Sequence, residues 1–321
     1  MLMAGVANFA ACSGASQNAF PTSPGRESLT EQKSITSELQ MPSTSGVPAT
    51  FAAGYFKNNI TIWNKENQPI GRLLGGGFPH TDTSGLVYAY EADYNTVRVF
   101  APPYTGTPVR IRFGSESIHS LAVDEKDGTF AVLAQVPSDG HGRFHFFRRG
   151  EVKPCNVVDG PPSFFLNAGS AFDAEGTLFF TATVASNDDS VVGSVAGGCS
   201  AIAAELDTFT TDISPEVLIA FDKNDNLVVQ NYHRDTPLAI YTFAHPRNGV
   251  FGKPVSETIP RQYNGIYPRF LSMASDGNHM WAGFLGTTLG YYNYPEGGKP
   301  VLLLRDLQGI NGIATLPPLV P

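Results

Sequence analysis

The sequence predicts an all-β fold, a six-bladed β-propeller whose C-terminal strand closes the N-terminal blade. Two observations carry this. The first is a recurring unit: an apolar stretch ends in Asp, a short Gly or Asn turn follows, and a second apolar stretch begins. It reads Leu121–Asp124 then Gly128–Phe130, Ala171–Asp173 then Gly176–Phe180, and Ile219–Asp222 then Asn226–Val229. Looser copies surround Asp82 and Asp276, so the Asp positions are spaced by 42, 49, 49 and 54 residues. A strand–turn–strand period of this size is the signature of a propeller. The second observation is that the two ends are complementary. Residues 51–55 and 60–63 form the middle of a blade without its inner strand, and Gly309–Leu316 forms an inner strand without its follow-up.

Each Asp turn is the hairpin between the first two strands of a blade. Asp suits it because its side chain bonds its own backbone, and Gly because it accepts positive φ. The inner strand runs into the turn, as in Ser120–Val123 and Ser170–Phe172, and the second leaves it, as in Phe130–Gln135 and Leu178–Val184. A third strand recurs in Asn59-Ile-Thr-Ile-Trp63, Asn95-Thr-Val-Arg-Val-Phe100 and, more loosely, Pro237–Phe243. Alternation at Ile60 and Ile62, and at Val97 and Val99, fits half-buried strands. Residues 47–317 divide into six units of about 45 residues, whereas seven would be shorter than every observed spacing. Joining the ends completes the sixth blade and removes two exposed edges. A pair of β-sandwiches explains neither the period nor the ends.

The composition fits this reading. The chain has 321 residues with 33 Gly and 24 Pro, as a turn-rich fold requires. Its 21 basic and 29 acidic residues leave a formal charge of −8, which argues against a nucleic-acid partner. No run approaches the length of a membrane-spanning helix.

Residues 1–12 form a short apolar segment ending in Phe9-Ala-Ala-Cys12. This phrase resembles a bacterial lipobox, and the resemblance implies cleavage before Cys12 and its acylation. The segment departs from the pattern in being short and in lacking Lys or Arg ahead of it. Residues 13–46 are rich in Ser, Thr and Pro, a composition that predicts a disordered tether. The propeller is expected over 47–317 and a tail over 318–321. An extracytoplasmic, lipid-anchored monomer of the bacterial cell envelope is the localisation expected.

The Asp-turn unit, followed by Asn-Asn-Ile-Thr-Ile-Trp63 or Asn-Thr-Val-Arg-Val-Phe100, resembles bacterial six-bladed propeller lipoproteins of the broad NHL-like and YncE-like group. The resemblance covers nearly everything after residue 47 and implies the architecture. Activity is left open by it, since such folds host binding modules, lactonases and lyases alike.

Catalytic signatures are absent. There is no G-x-S-x-G elbow, H-E-x-x-H helix or phosphate-binding loop. Asp222–Asn226 begins like a calcium loop, but Leu227 and His233 stand where Gly and Glu are required. His141 and His145 flank Arg143 and Phe144, and with no carboxylate or third ligand identified beside them they read as parts of a turn and a strand. Arg143–Arg149 mixes basic and aromatic residues, as nucleic-acid surfaces do, but a blade strand is the simpler account. No catalytic residue, metal or cofactor is therefore expected. Cys155 and Cys199, 44 residues apart, are either a disulfide between neighbouring blades or two buried thiols.

The remaining polar residues gather where loops enter the inner strands, at 114–119, 164–169, 212–217, 265–270 and 308–311. Glu116, His119, Asn167, Glu216, Tyr267, Arg269 and Asn311 are the candidate binding residues of one channel mouth, since propeller strands are committed to packing while their loops are free to vary. The mixed charge points to an uncharged or zwitterionic partner: a protein, a peptide or a glycan. Two other readings stand beside this binding module. One is a lactonase-like hydrolase or lyase with a metal at the mouth, and the other is a structural envelope module.

Overall fold

A computed structural model of the chain describes residues 48–54, 59–74, 77–91, 95–137, 140–160, 164–184, 189–209, 215–231, 239–245, 250–261, 269–284, 288–304 and 310–318. Cys12, Tyr267, the tether 13–46 and the last residues of the tail lie outside these. The described residues are almost all β, arranged as six sheets.

The closing blade runs outward from β25 (Ile310–Thr315) through β1 (Pro48–Gly54) and β2 (Asn59–Asn64) to β3 (Pro69–Leu74). Blade 1 holds β4 (Pro79–Thr81), β5 (Val87–Glu91), β6 (Thr96–Phe100) and β7 (Val109–Arg112). Blade 2 holds β8 (Ser117–Val123), β9 (Phe130–Gln135), β10 (Gly142–Phe147) and β11 (Asn156–Asp159). Blade 3 holds β12 (Phe164–Phe172), β13 (Leu178–Val184), β14 (Asp189–Val195) and β15 (Glu205–Phe209). Blade 4 holds β16 (Pro215–Phe221), β17 (Leu227–Asn231), β18 (Ala239–Phe243) and β20 (Ser256–Thr258); between the last two, β19 (Val250–Phe251) lies parallel to β15 and extends the sheet of blade 3. Blade 5 holds β21 (Arg269–Met273), β22 (His279–Phe284), β23 (Thr288–Asn293) and β24 (Gly297–Leu304). The innermost strands β4, β8, β12, β16, β21 and β25 neighbour one another in that order, and β25 meets β4 to close the ring.

Closure follows the expected route. β25 pairs antiparallel with β1, setting Thr50 opposite Thr315, Phe51 opposite Ala314 and Ala52 opposite Ile313. The third-strand phrases form β2, β6 and β18, each third from the channel.

Apolar side chains from adjacent blades fill the space between them. One core joins Tyr88 and Val97 of blade 1 to Leu121, Phe130 and Val132 of blade 2. The next joins Leu133, Phe144 and Phe146 of blade 2 to Leu166, Leu178 and Phe180 of blade 3. β9 feeds both, which is why Phe-Ala-Val-Leu-Ala reads as one continuous apolar run with no alternation: a strand covered on both faces needs none. The outer strand β7 (Val-Arg-Ile-Arg) has only Ile111 buried, and its exposed arginines discourage edge-to-edge pairing.

The Asp turns have the expected local geometry, with one difference. In blade 3, Asp173 Oδ1 accepts from the backbone N–H of Glu175 at 3.0 Å and of Thr177 at 2.7 Å, and Gly176 has φ 79°. In blade 4 the left-handed residue is Asp225 (φ 59°), not Asn226: it stands three after its Asp, as Gly176 does, and Asn226, one further on, donates its N–H to Asp222 as Thr177 does to Asp173. The second carboxylate oxygen reaches the following blade. Arg149 Nε donates to Asp82 Oδ2 at 3.0 Å, His245 Nε2 lies 2.9 Å from Asp173 Oδ2, and Tyr294 O–H donates to Asp222 Oδ2 at 3.1 Å. Each of these partners sits just past the third strand of the next blade. Between blades 2 and 3 the link is different: Cys155 and Cys199 form a disulfide with Cα atoms 5.3 Å apart, and Asn156 Nδ2 donates to the Ala201 carbonyl at 2.8 Å.

Asp82 is fully buried, so removing Arg149 leaves its carboxylate with fewer partners in a place water cannot supply. Arg149→Met is expected to lower stability in urea unfolding by about 1–3 kcal/mol. Arg148→Met, which removes only an exposed 4.0 Å pair with Glu151, is expected to change it by less than about 0.5 kcal/mol. Equal effects of the two would show that the link between blades contributes nothing.

Candidate functional site

The channel mouth is built from irregularities in the inner strands. Apart from the short β4, these strands start earlier than their apolar patterns suggest, and each breaks register with its neighbour near its start. In β8 the shift falls between Ile118 and Ser120, leaving His119 as the extra residue. In β12 it falls between Leu166 and Ser170, in β16 between Pro215 and Ile219, in β21 between Phe270 and Ser272. In β25 it falls between Ile310 and Gly312. Residues 117–119, 164–169, 215–217, 269–270 and 310–311 are therefore strand, not loop. In β8, β21 and β25 one residue is extra, which reverses the in–out alternation beyond it, and in β12 and β16 two are extra, which interrupts it; both hide the strand from a pattern search. Bulges also re-aim side chains and recur beside binding sites.

The candidate residues occupy this ring of irregularities to different degrees. His119, Asn167, Glu216 and Asn311 fall at the register shifts of four inner strands. The side chains of the last three are outside the described residues. Arg269 opens β21 opposite Gly283, and its side chain is exposed. His119 is half-buried; burial pulls its imidazole below the usual range, while a hydrogen bond with the Leu166 backbone works the other way. The Tyr90 hydroxyl donates to the His119 carbonyl at 3.0 Å, anchoring the bulge to blade 1.

Glu116 has partners within its own blade. Its carboxylate lies alongside β10, where Arg143 Nη1 donates to Oε1 at 2.7 Å and His145 Nε2 is 2.6 Å from Oε2. Arg143 Nε also donates to Asp159 Oδ1 at 2.8 Å. Glu116 is thus engaged by a strand of its own blade. The expectation that no carboxylate lies beside His145 is corrected by the same contact. The reason is the pleat: Phe144 and Phe146 take the core face of β10, so Arg143 and His145 share the other face and gather the nearby acids. Among the described residues no group of three or more His, Cys, Asp or Glu is arranged to hold a metal ion.

The channel behind the mouth is narrow, and a few polar groups stand among a mostly apolar lining. It encloses about 90 Å³, room for about three waters. That volume is below the range of small-molecule pockets, which favours a ligand at one of the faces. Ser120 and Ser170 Oγ atoms lie 2.6 Å apart, and Thr81 Oγ1 donates to the Thr315 carbonyl at 2.5 Å, joining blade 1 to the closing strand. Two titratable residues also line it, and sequence reasoning missed both. His80, on β4, has its imidazole pushed down to about 4 by burial. Glu125 follows the Asp124 turn; burial and then the neighbouring Asp124 charge push its carboxyl well above the usual range. Nothing in the repeat singles them out, since each occupies a position where other blades carry different residues. The one available signal was their place next to the inner-strand register.

No protein-family model matches this sequence, and no curated protein matches it. Solved structures do share its fold. A protein of unknown function from Bacteroides caccae superposes with a TM-score of 0.61 at 11% identity, covering 84% of this chain and 99% of that one. Hydrazine synthase from Kuenenia stuttgartiensis gives 0.55 at 11%, covering 82% and 79%. The β-propeller domain of Cps50 (Swd1) from Myceliophteria thermophila gives 0.52 at 13%, covering 85% and 93%. These likenesses show the propeller fold alone, and the proteins that carry it differ in function.

The buried histidine makes a prediction. A His whose folded pKa lies below its unfolded value binds fewer protons folded than unfolded, so its contribution to stability falls as pH drops from about 6.5 towards about 4. Glu125 acts with the opposite sign, since its folded pKa is raised, so the comparison must isolate His80. His80→Gln is expected to lose less stability than the wild type between about pH 7 and about pH 4, measured by urea unfolding across that range. Parallel pH curves for the two proteins would contradict it.

Proposed function

We propose that this chain is an exported, lipid-anchored six-bladed propeller that acts as a non-catalytic binding module, recognising an uncharged or zwitterionic peptide or glycan at the channel mouth. The observation that carries the reading is the ring of register shifts at 119, 167–169, 216–218, 271 and 311, one on each of five inner strands at the same end of the channel. Backbone freed from the ladder at five points, in front of a channel whose volume is below the range of small-molecule pockets, favours a surface that docks a partner. The exposed Arg269 and the exposed Phe165 of β12 supply a cation and an aromatic face, types common at recognition sites. The Cys155–Cys199 disulfide supports export, because such bonds persist in oxidising compartments. The Cys12 anchor rests on the sequence alone, as does assignment to the lipoprotein group.

A lactonase-like enzyme is the second reading. Asn167, Glu216 and Asn311 at three of the shifts are the residue types a metal-dependent hydrolase would need there, and it is favoured only if their oxygens converge.

Both parts of the proposal are testable in the native host. A fatty-acid analogue is expected to label the wild type and not Cys12→Ser; equal labelling would remove the anchor from the account. Peptides and glycans from the host envelope are to be screened on an array. Combined Tyr267→Ala and Arg269→Ala is expected to weaken binding of any hit by about tenfold or more, with little change in melting temperature. Unchanged affinity would move the site away from the mouth.

A further inference from the structure

The face opposite the mouth, where the Asp turns lie, carries a second and quite different cavity. It is a cleft of about 270 Å³ between the first turn of blade 4 and the loops of blade 5. We propose that this cleft binds a single neutral, polyhydroxylated ring the size of one sugar residue.

The floor of the cleft is a fixed polar chain. Asp222 is almost completely buried, and its Oδ1 accepts from the N–H groups of Asn224 at 2.8 Å and Asn226 at 3.0 Å. Its Oδ2 accepts from the Tyr294 hydroxyl at 3.1 Å. A carboxylate only accepts, so the Tyr294 proton points to Asp222, and Thr242 Oγ1, 2.6 Å away, must donate to Tyr294. Burial keeps Tyr294 a phenol, raising it further above the usual range. The floor therefore holds its shape without a ligand.

The rim, by contrast, has spare capacity. Among the described residues, the Asn224 amide, the Glu296 carboxylate and the Ser256 hydroxyl line the cleft without a side-chain partner, and Asn226 has only its N–H₂ engaged, with Asp222. These are planar amides, a carboxylate and a hydroxyl: groups that accept from and donate to hydroxyls at several angles. Lys223, the cation of the cleft, donates to Asn278 Oδ1 and keeps its charge, but the lining also carries the Asp222 and Glu296 carboxylates, so the cleft as a whole does not favour an anion. Val255, 61% exposed, and the exposed Pro295 give the cleft an apolar side as well. A ligand with an apolar ring face and a hydroxyl-rich edge satisfies both surfaces at once. The volume lies near the lower end for small-molecule pockets, enough for one ring and too small for a chain of them.

The inference does not depend on the mouth, and one experiment separates the two. The full chain is titrated calorimetrically with glucose, galactose, mannose and N-acetylglucosamine. At least one is expected to bind with a dissociation constant on the order of 1 mM. Glu296→Ala and Asn224→Ala are each expected to weaken it by about tenfold or more. The combined Tyr267→Ala and Arg269→Ala protein is expected to bind the sugar as the wild type does. Asn224→Ala keeps the backbone N–H that Asp222 accepts, and Glu296 is exposed, so both variants leave the floor of the cleft intact. Absence of binding by all four sugars, or binding that survives Glu296→Ala, overturns the proposal. Binding lost only in the mouth variant overturns it too, and places the sugar at the mouth instead.

Discussion

The pairing of β25 with β1 is the constraint on which the rest of this structure depends. A ring of sheets has no free edge on its circumference only when the last blade meets the first, and here one blade is assembled from both ends of the propeller. Until residues 310–315 return, β1 has no inner neighbour, and the core that Phe51, Ile60 and Ile62 share with Val87 and Phe100 of blade 1 lacks Ala314. The opposite side of the closing blade is equally dependent: Ile313 joins Trp63 to Trp281 and Leu304 of blade 5. One strand therefore completes two of the cores between blades.

The blades are held to one another by apolar packing and by a set of polar links that change along the ring. Buried carboxylates of Asp82, Asp173 and Asp222 reach the following blade through Arg149, His245 and Tyr294 respectively. Where blade 2 meets blade 3, no such link from Asp124 is found among the described residues, and the disulfide and Asn156 lie there instead. At the junction of blade 5 with the closing blade, the Trp63 and Trp281 indole N–H groups are buried and find no hydrogen-bond partner among the described residues. An unmet buried donor costs on the order of 1–3 kcal/mol. That interface therefore depends on apolar contact more than the others do, in keeping with the role of closure.

Much of the fold was legible in the sequence because its determinants are local. An Asp turn satisfies its own backbone within four residues, so it leaves the same mark in every blade; the third-strand phrases did likewise. The partners of those Asp residues were not legible. They lie 67, 72 and 72 residues further on, an offset close to constant, but the chemistry changes from Arg to His to Tyr, so no single residue type repeats. The candidate site was legible only in outline. His119, Asn167, Glu216 and Asn311 were singled out by position, yet the bulges that place them break the alternation from which strands are read. The partners of Glu116 were not legible, because Arg143 and His145 belong to a strand two steps away in the sheet. His80 and Glu125 left no trace, since what distinguishes them is enclosure by all six inner strands, and no short window of sequence records that.

The two faces of the ring thus differ in kind. One is a mouth shaped by interrupted inner strands, and the other is a plane of Asp turns whose described carboxylates are largely spent on structure, beside a cleft of unspent polar groups. Both presuppose a closed ring, and strand complementation tests that most directly. A chain ending at residue 308 is compared with the full chain by urea unfolding, before and after adding a synthetic peptide of residues 309–318. The account predicts that the shortened chain unfolds at markedly lower urea and that the peptide restores the midpoint in a saturable way. A shortened chain as stable as the full one, or one that the peptide leaves unchanged, would contradict it.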